Sequence, residues 1–452
     1  MRILIAVHGY PPTHNGGAER RAERTARGLA ARGHDVYVVS IETLVAAARG
    51  IRWEDVREDQ VFVRRLFCNF DDAPDMFNWS YDNPQIGQMM TGLLMAWRPD
   101  IVHLFSGYLM SASTVRAAVA EGVPVVVSLT DYWWLCHRIN LLRPDGSRCD
   151  GPTAAGCARC LAESRRRFRL PAQAWPQGAN AIWSAVEQVP AFGAVLGVPQ
   201  QVARHTLLAD TLNQCAALIA PSRYLAETYV RHGTDPRLVR VQRQGVELDR
   251  CQLRRPASEL RFAYLGQLKP HKGVDLLLQA WGQLIGDQPR RLALYGSADG
   301  EPDYFQLLQS MAANLAGVTF GGQLNAAGVW QVLAETDVLV MPVRWFENSP
   351  NIILEAQAVG VPVVGAGLGG VAELVQHEQN GLLHIPDDAR DLARQMQRML
   401  DEPHLIGQLR RNVMPFQHVD DEVDQIVTLY ADVTARQEGR LNALQTPDDA
   451  LR

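Results

Sequence analysis

Short runs of consecutive apolar residues alternate with longer stretches of helical period along most of the chain. Such runs fall at residues 2–7, 35–39, 100–105 and 123–129, and again at 261–265, 291–295, 337–342 and 361–364. The run Val123-Pro124-Val125-Val126-Val127 is apolar on both faces of a strand, so it needs cover on both sides. This alternation predicts parallel sheets packed between helices: an α/β protein of two Rossmann-like, doubly wound domains. Arg254-Arg255-Pro256-Ala257-Ser258-Glu259 breaks the pattern just before the fresh strand Arg261-Phe262-Ala263-Tyr264-Leu265, which places the junction near 250–260. The expected division is an N-terminal domain over 1–255, a second domain over 256–412, a helix over 413–437 and a tail over 438–452. Within that helix Val419, Val423, Ile426, Val427 and Tyr430 recur at helical spacing, after a bend at Pro415.

Composition narrows the class. A chain of 452 residues suits two sizeable cores, and 47% hydrophobic with 21% charged residues excludes wholesale disorder, collagen and coiled coil. A net charge of −5 gives no bulk field toward nucleic acid, and no nucleic-acid-binding module is present. The apolar start is too short for a signal-peptide core, no run reaches the roughly 18 residues of a membrane span, and seven cysteines are too few for a disulfide scaffold. These features predict a cytoplasmic protein. Residues 161–205 interrupt the rhythm: Arg165-Arg166-Arg167-Phe168-Arg169 precedes Trp175, Trp183 and Phe192. A basic cluster beside aromatics suits peripheral contact with an anionic membrane or a lipid-linked acceptor; a solvated helix face is the plainer reading.

The most informative segment runs from Arg344 to Ala356, RWFENSPNIILEA. It follows the strand ending near Met341; Ser349 is a good N-cap, and Pro350 suits the first helical position. The free amides and positive dipole end of such a helix form an anion site at the carboxyl edge of a parallel sheet. Glu347 lies in the loop before the helix and Glu355 lies inside it. One carboxylate can face a group beyond a bound phosphate while the other takes hydroxyls on the near side, a layout that fits a diphosphate with a sugar at each end.

Residues 347–364 resemble the Glu-x₇-Glu motif of retaining glycosyltransferases of the GT-B fold, family four, and the match extends through Gly360-Val361-Pro362-Val363-Val364. Other segments are similar in the same order: Gly16-Gly17-Ala18-Glu19 before a helix ending at Gly33, Ala220-Pro221-Ser222, Gln244-Gly245-Val246-Glu247, Leu265-Gly266-Gln267-Leu268 with Lys269-Pro270-His271-Lys272-Gly273, and Gly367-Leu368-Gly369-Gly370. The resemblance covers roughly residues 2–437. It implies two domains facing a cleft, with the C-terminal helix crossing back to the first. It also implies a nucleotide-sugar donor on the second domain and a glycan, lipid-linked or small-molecule acceptor on the first, in bacterial surface polysaccharide or glycoconjugate synthesis. Glu347 would contact the transferred sugar and Glu355 the ribose. Lys272 and the helix amides would hold the diphosphate, with Gly16, Gly17, Gln267, Asn348, Ser349, Asn351 and Ile352 lining the donor. No catalytic cofactor is implied.

Two positions depart from the family. Gln267 stands where an arginine is common, and Thr130 replaces the histidine of a His-Asp-Tyr-Trp segment, here Thr130-Asp131-Tyr132-Trp133. Asp131, together with His103 at the end of its strand, is therefore the candidate for that role. These departures motivate the alternative of a non-catalytic sugar-nucleotide-binding or scaffold protein. A dinucleotide-dependent oxidoreductase is weaker, because no complete Gly-x-Gly-x-x-Gly turn follows the first strand. Finally, Cys136, Cys149, Cys157 and Cys160 form a Cys-rich insertion over 136–160. A final Cys-x₂-Cys with two further thiols argues for a structural tetrahedral zinc, with four independent thiols, or disulfides in an oxidising compartment, as the alternatives. Cys68, Cys215 and Cys251 read as ordinary buried residues.

Overall fold

The apolar runs become the inner strands of two parallel sheets. A computed structural model describes residues 1–44, 49–248, 258–402, 404–413 and 416–445. Two units result: Met1–Pro221, Ala226–Gln242 and the stretch from Asp420 form the first, while Ser222–Leu225 and Arg243–Val419 form the second.

In the first unit the strands are β1 (Arg2–Val7), β2 (Asp35–Thr43), β3 (Ile51–Glu58), β4 (Val61–Cys68), β5 (Ile101–Phe105), β6 (Val125–Ser128), β7 (Ala217–Ala220) and β8 (Val239–Val241). Their order is β3-β4-β2-β1-β5-β6-β7-β8, parallel throughout except for the antiparallel β3–β4 pair. β1 lies centrally, with Ile5 opposite Val38 and His103, and Ile3 to Val7 fully buried. The second unit holds β9 (Leu260–Leu265), β10 (Arg290–Tyr295), β11 (Val318–Gly322), β12 (Val338–Met341), β13 (Val363–Ala366) and β14 (Gly381–His384). Its all-parallel order, β11-β10-β9-β12-β13-β14, is the 3-2-1-4-5-6 arrangement of a doubly wound sheet, whose winding reverses between β9 and β12. In the first unit the reversal falls between β1 and β5.

The expected two-domain α/β architecture is thus present, with differences at its joints. The chain enters the second unit at Arg243, ahead of the expected 250–260 junction. Val246 N donates to Gln417 O at 2.8 Å and Val246 pairs with His418, while a Cβ on Gly245 would stand 2.5 Å from Val419 Cα. The linker residues 254–257, Cys251 and Pro415 lie outside the described residues.

The C-terminal helix spans Val419–Gln445, later than the expected 413–437, and its stretch from Asp420 belongs to the first unit. Arg21 Nε donates to Glu422 Oε1 at 2.7 Å with both side chains nearly fully buried. A Cβ on Gly28 would stand 2.7 Å from Val423, so only glycine admits the helix there.

Between β6 and β7 the helices Ala154–Glu163, Arg166–Ala174, Pro176–Gln188, Pro190–Val195 and Val198–Asn213 replace the α/β rhythm. They leave Trp175, Ile182 and Phe192 each more than half exposed. Among the described residues no helix is long and apolar enough to cross a membrane.

Candidate active site

In the second unit the predicted residues gather at the carboxyl ends of β9 and β12, on either side of the point where the winding reverses. The turn after β9 passes through Gly273, whose φ of +73° and whose approach to Pro342 O, 2.0 Å from where a Cβ would stand, admit only glycine. That closeness brings Lys272 to the loop after β12. Lys272 Nζ donates to Glu347 Oε1, and lies 4.9 Å from the ring centre of Trp345. Trp345 Nε1 donates to the same carboxylate oxygen at 2.9 Å. His271 meets Trp345 edge to face at 5.5 Å. Burial, then the charges of Lys272 and Lys269, push its imidazole down to about 4, so it is neutral at pH 7. Arg344 is held by Asp275 through two 2.8 Å hydrogen bonds and by Asp387 at 3.3 Å, which fixes the base of the loop.

Glu347, Asn348 and Ser349 are all buried, because their backbone runs against the turn after β13. Gly370 N donates to Glu347 O at 2.7 Å, and a Cβ on Gly370 would stand 1.8 Å from Asn348 O. The helix starts one residue later than the sequence predicts. Pro350 is the N-cap, the helix is Asn351–Ala358, and no side chain caps it. Ser349 Oγ and Asn351 Oδ1 are buried without hydrogen-bond partners, so polar atoms and helix amides converge where an anion would be satisfied. Glu355 and Ile352 are partly buried within the helix, whereas Gln267 is exposed after β9.

In the first unit the glycine loop and the ends of β1, β5 and β6 form a second polar cluster. Gly16 is the N-cap of the helix Gly17–Ala31, and both glycines are exposed. Asp131 is fully occupied: Ser106 Oγ donates to it at 2.6 Å, Thr130 Oγ1 at 3.2 Å and Trp133 N at 2.8 Å. Burial raises its pKa, opposed by those hydrogen bonds. Thr130 thus serves to tie the Asp131 turn. Ser106, Leu109 and Ser111, all non-glycine, have φ between +57° and +67° in the loop after β5, strain of a kind that clusters at functional sites.

His103 differs from expectation. It sits in the middle of β5, not at its end, and is fully buried. Its Nδ1 is hydrogen bonded to the Tyr430 hydroxyl at 2.5 Å and its Nε2 to Ser128 Oγ at 2.9 Å, so both ring nitrogens are committed to the core. Burial drives its pKa well down. The imidazole at the carboxyl edge is His8, which the sequence reading missed. Its only signal there was a histidine directly after the apolar run of β1. Trp345 was missed as well, lying beside the glutamate motif without any charge to mark it.

The four-thiol zinc site is not shown by the structure. Cys136, Cys149, Cys157 and Cys160 lie near enough to act on one another's charge, yet among the described residues no group of three or more His, Cys, Asp or Glu side chains is arranged to hold a metal ion. Cys149 Sγ donates to Gly151 O at 3.3 Å, and burial pushes the Cys157 and Cys160 thiols up to about 12. Cys68 and Cys215 are buried, as expected.

Residues 16–175 match the glycosyl transferase 4-like domain model and residues 259–402 match the glycosyl transferases group 1 model. The chain is 28% identical over 236 residues to D-inositol 3-phosphate glycosyltransferase 2 of Catenulispora acidiphila, covering 48% of this chain and 55% of that protein. It is 26% identical over 427 residues to glycogen synthase of Mycobacterium tuberculosis, covering 89% of this chain and 87% of that one. Among solved structures, Anabaena HepE in complex with UDP and glucose superposes with a TM-score of 0.61 at 17% identity, over 97% of this chain and 100% of that chain. Sucrose-phosphate synthase from Thermosynechococcus elongatus superposes with a TM-score of 0.62 at 16% identity, over 98% and 99%.

Proposed function

The chain belongs to the glycosyltransferases of the GT-B fold, and from that premise we propose that it is a retaining enzyme moving a hexose from a nucleotide-sugar donor to a glycan, lipid-linked or small-molecule acceptor. The observation that carries the reading is the Lys272–Glu347–Trp345 cluster in front of an uncapped helix start, where β9 and β12 diverge. Lys272 is neutralised by Glu347 before a donor arrives, which avoids a lone half-buried charge. An arriving diphosphate takes over Lys272 and the amides after Pro350. Glu347 is then released to accept hydroxyls of the transferred sugar, and Glu355 takes the ribose. HepE carries UDP, which supports a uridine donor.

The leaving diphosphate takes the acceptor's proton, so the protein positions two substrates and stabilises developing negative charge. Residues 161–205 supply peripheral contact with an anionic membrane, a reading supported by four arginines over 165–169 and the exposed Trp175, Ile182 and Phe192. We place the reaction in surface polysaccharide or glycoconjugate synthesis.

The test is a thermal-shift series with UDP-glucose, ADP-glucose and GDP-mannose, followed by transfer of labelled sugar to p-nitrophenyl hexosides. One donor should raise the midpoint and support transfer, and Lys272→Ala should abolish the shift. Donor binding with neither transfer nor hydrolysis would favour the non-catalytic alternative, and no shift with any sugar nucleotide would refute both.

A further inference from the structure

His8 is an imidazole at the carboxyl edge of the first sheet to which the glycosyltransferase reading gives no task. It follows β1 at the point where that sheet's winding reverses, the position at which doubly wound sheets take their ligands. Its Nε2 lies 3.2 Å from Glu19 Oε1, and its ring meets Tyr108 edge to face at 5.5 Å. An ionised carboxylate only accepts, so Nε2 carries the proton and Nδ1 presents a bare lone pair. That Nδ1 is buried and has no hydrogen-bond partner, whereas such atoms are nearly always satisfied in a finished protein.

The glycine loop is shaped around this pair. A Cβ on Gly16 would stand 2.4 Å from Glu19 Oε2 and 2.9 Å from Oε1, so the glycine loop lies directly against the carboxylate. Asp131 already accepts from Ser106, Thr130 and Trp133, which leaves it less acceptor capacity than the unpartnered Nδ1 of His8.

We propose that His8, oriented by Glu19, is a substrate-contacting residue of the transfer reaction whose Nδ1 accepts a hydrogen bond from a hydroxyl of the sugar acceptor. This rests on the glycosyltransferase reading and on assignment of the acceptor to the first unit. The hydroxyl held by the lone pair is a neighbour of the attacking one, whose own proton still goes to the leaving diphosphate. Protonated imidazole donates at both nitrogens and cannot accept, so transfer requires neutral His8.

The titratable groups facing the pair are Glu19 and His14 from the glycine loop and its helix, Tyr108 after β5, and Asp131 after β6. Burial works to lower the His8 pKa, but the Glu19 hydrogen bond and charge, helped by Asp131, outweigh it and raise the value above 6.5. Transfer should therefore lose rate on the acid side of a limb lying above pH 6.5.

The experiment measures transfer to a p-nitrophenyl hexoside and hydrolysis of UDP-glucose in parallel, from pH 5.5 to 9, in wild type, His8→Ala, His8→Asn and Glu19→Gln. In His8→Ala the ratio of hydrolysis to transfer should rise roughly tenfold. His8→Asn, which keeps an amide oxygen near the Nδ1 position, should recover part of the transfer and lose the acid limb. Glu19→Gln should move that limb to lower pH, because the hydrogen bond and charge that raise the His8 pKa are removed. A merely structural role would change thermal midpoints without altering the ratio or the limb. An unchanged ratio in His8→Ala, or an acid limb that persists in His8→Asn, overturns the inference. Failure of the wild-type protein to bind or turn over a sugar nucleotide overturns it together with the reading on which it rests.

Discussion

Replacing Gly370 with alanine tests whether the candidate donor site is held by backbone contact. The Cβ would stand 1.8 Å from Asn348 O and 3.0 Å from Glu347 O, well inside any tolerated approach, and both neighbours are backbone atoms that cannot swing away. The loop must therefore move, at an overpacking cost of about 1–3 kcal/mol. Movement also breaks the 2.7 Å bond from Gly370 N to Glu347 O, worth roughly 1 kcal/mol. The sum, about 2–4 kcal/mol, lowers the melting midpoint of a unit of this size by roughly 5–15 °C. Because the displaced residues include Glu347, sugar-nucleotide affinity should fall with it.

Gly367→Ala is the control. Its Cβ would meet only His384 O at 3.4 Å, with no positive φ, so it should be neutral or slightly stabilising. Calorimetry on both variants and on wild type, with and without UDP-glucose, reads both effects. A Gly370→Ala protein that melts within 2 °C of wild type, as an order-of-magnitude threshold, and keeps its affinity would refute the claim that this contact holds the loop.

Other outcomes follow from contacts already described. Trp345→Phe removes the hydrogen bond to Glu347 while keeping the ring under Lys272, and should weaken sugar-nucleotide binding by roughly 3–10-fold in a titration calorimeter. Arg21→Ala strands the buried Glu422 carboxylate and should cost about 3–5 kcal/mol in urea unfolding, whereas Arg21→Met with Glu422→Met should recover much of that loss. Stability should also depend on pH through His8 and Glu19. His8 has a raised folded pKa, so its contribution is complete below 6.5 and disappears as pH rises through the folded value. Glu19 has a lowered folded pKa, so its contribution is present above about 4.5 and is lost as pH falls through the folded value. Urea midpoints should therefore decline on the alkaline side in wild type and flatten there in His8→Ala.

Strands buried on both faces were legible because they need unbroken apolar runs, and β1, β5, β6, β9, β12 and β13 all lie within or beside the runs marked. The β3–β4 ribbon was not. Its outer strand, Ile51–Glu58, is largely exposed and polar, and its pairing shows only in cross-strand contacts such as Arg64 with Asp55 at 2.7 Å. Around the candidate donor site the helix start was legible within one residue, since a loop-to-helix transition leaves local signals in Ser and Pro, whereas Glu347 and Lys272 were singled out by the family resemblance. The sequence could not show that Lys272 and Glu347, 75 residues apart, pair directly, because that depends on β9 and β12 being neighbours. His103 was misread for the same reason: its partner Tyr430 lies 327 residues away, and strand spacing says nothing of it. The cysteine spacing suggested a metal, but spacing cannot tell whether thiols converge on a point or merely share a neighbourhood.

The first unit draws on segments separated by the long stretch Arg243–Val419, and this has a consequence for biosynthesis. When β1 to β8 have left the ribosome, Arg21 still lacks Glu422, His103 lacks Tyr430, and the groove at Gly28 has nothing to fill it. The stretch from Arg243 to Val419 can mature in the meantime. Nascent chains stalled before residue 420 should thus carry a finished second unit and an unfinished first one dependent on chaperones.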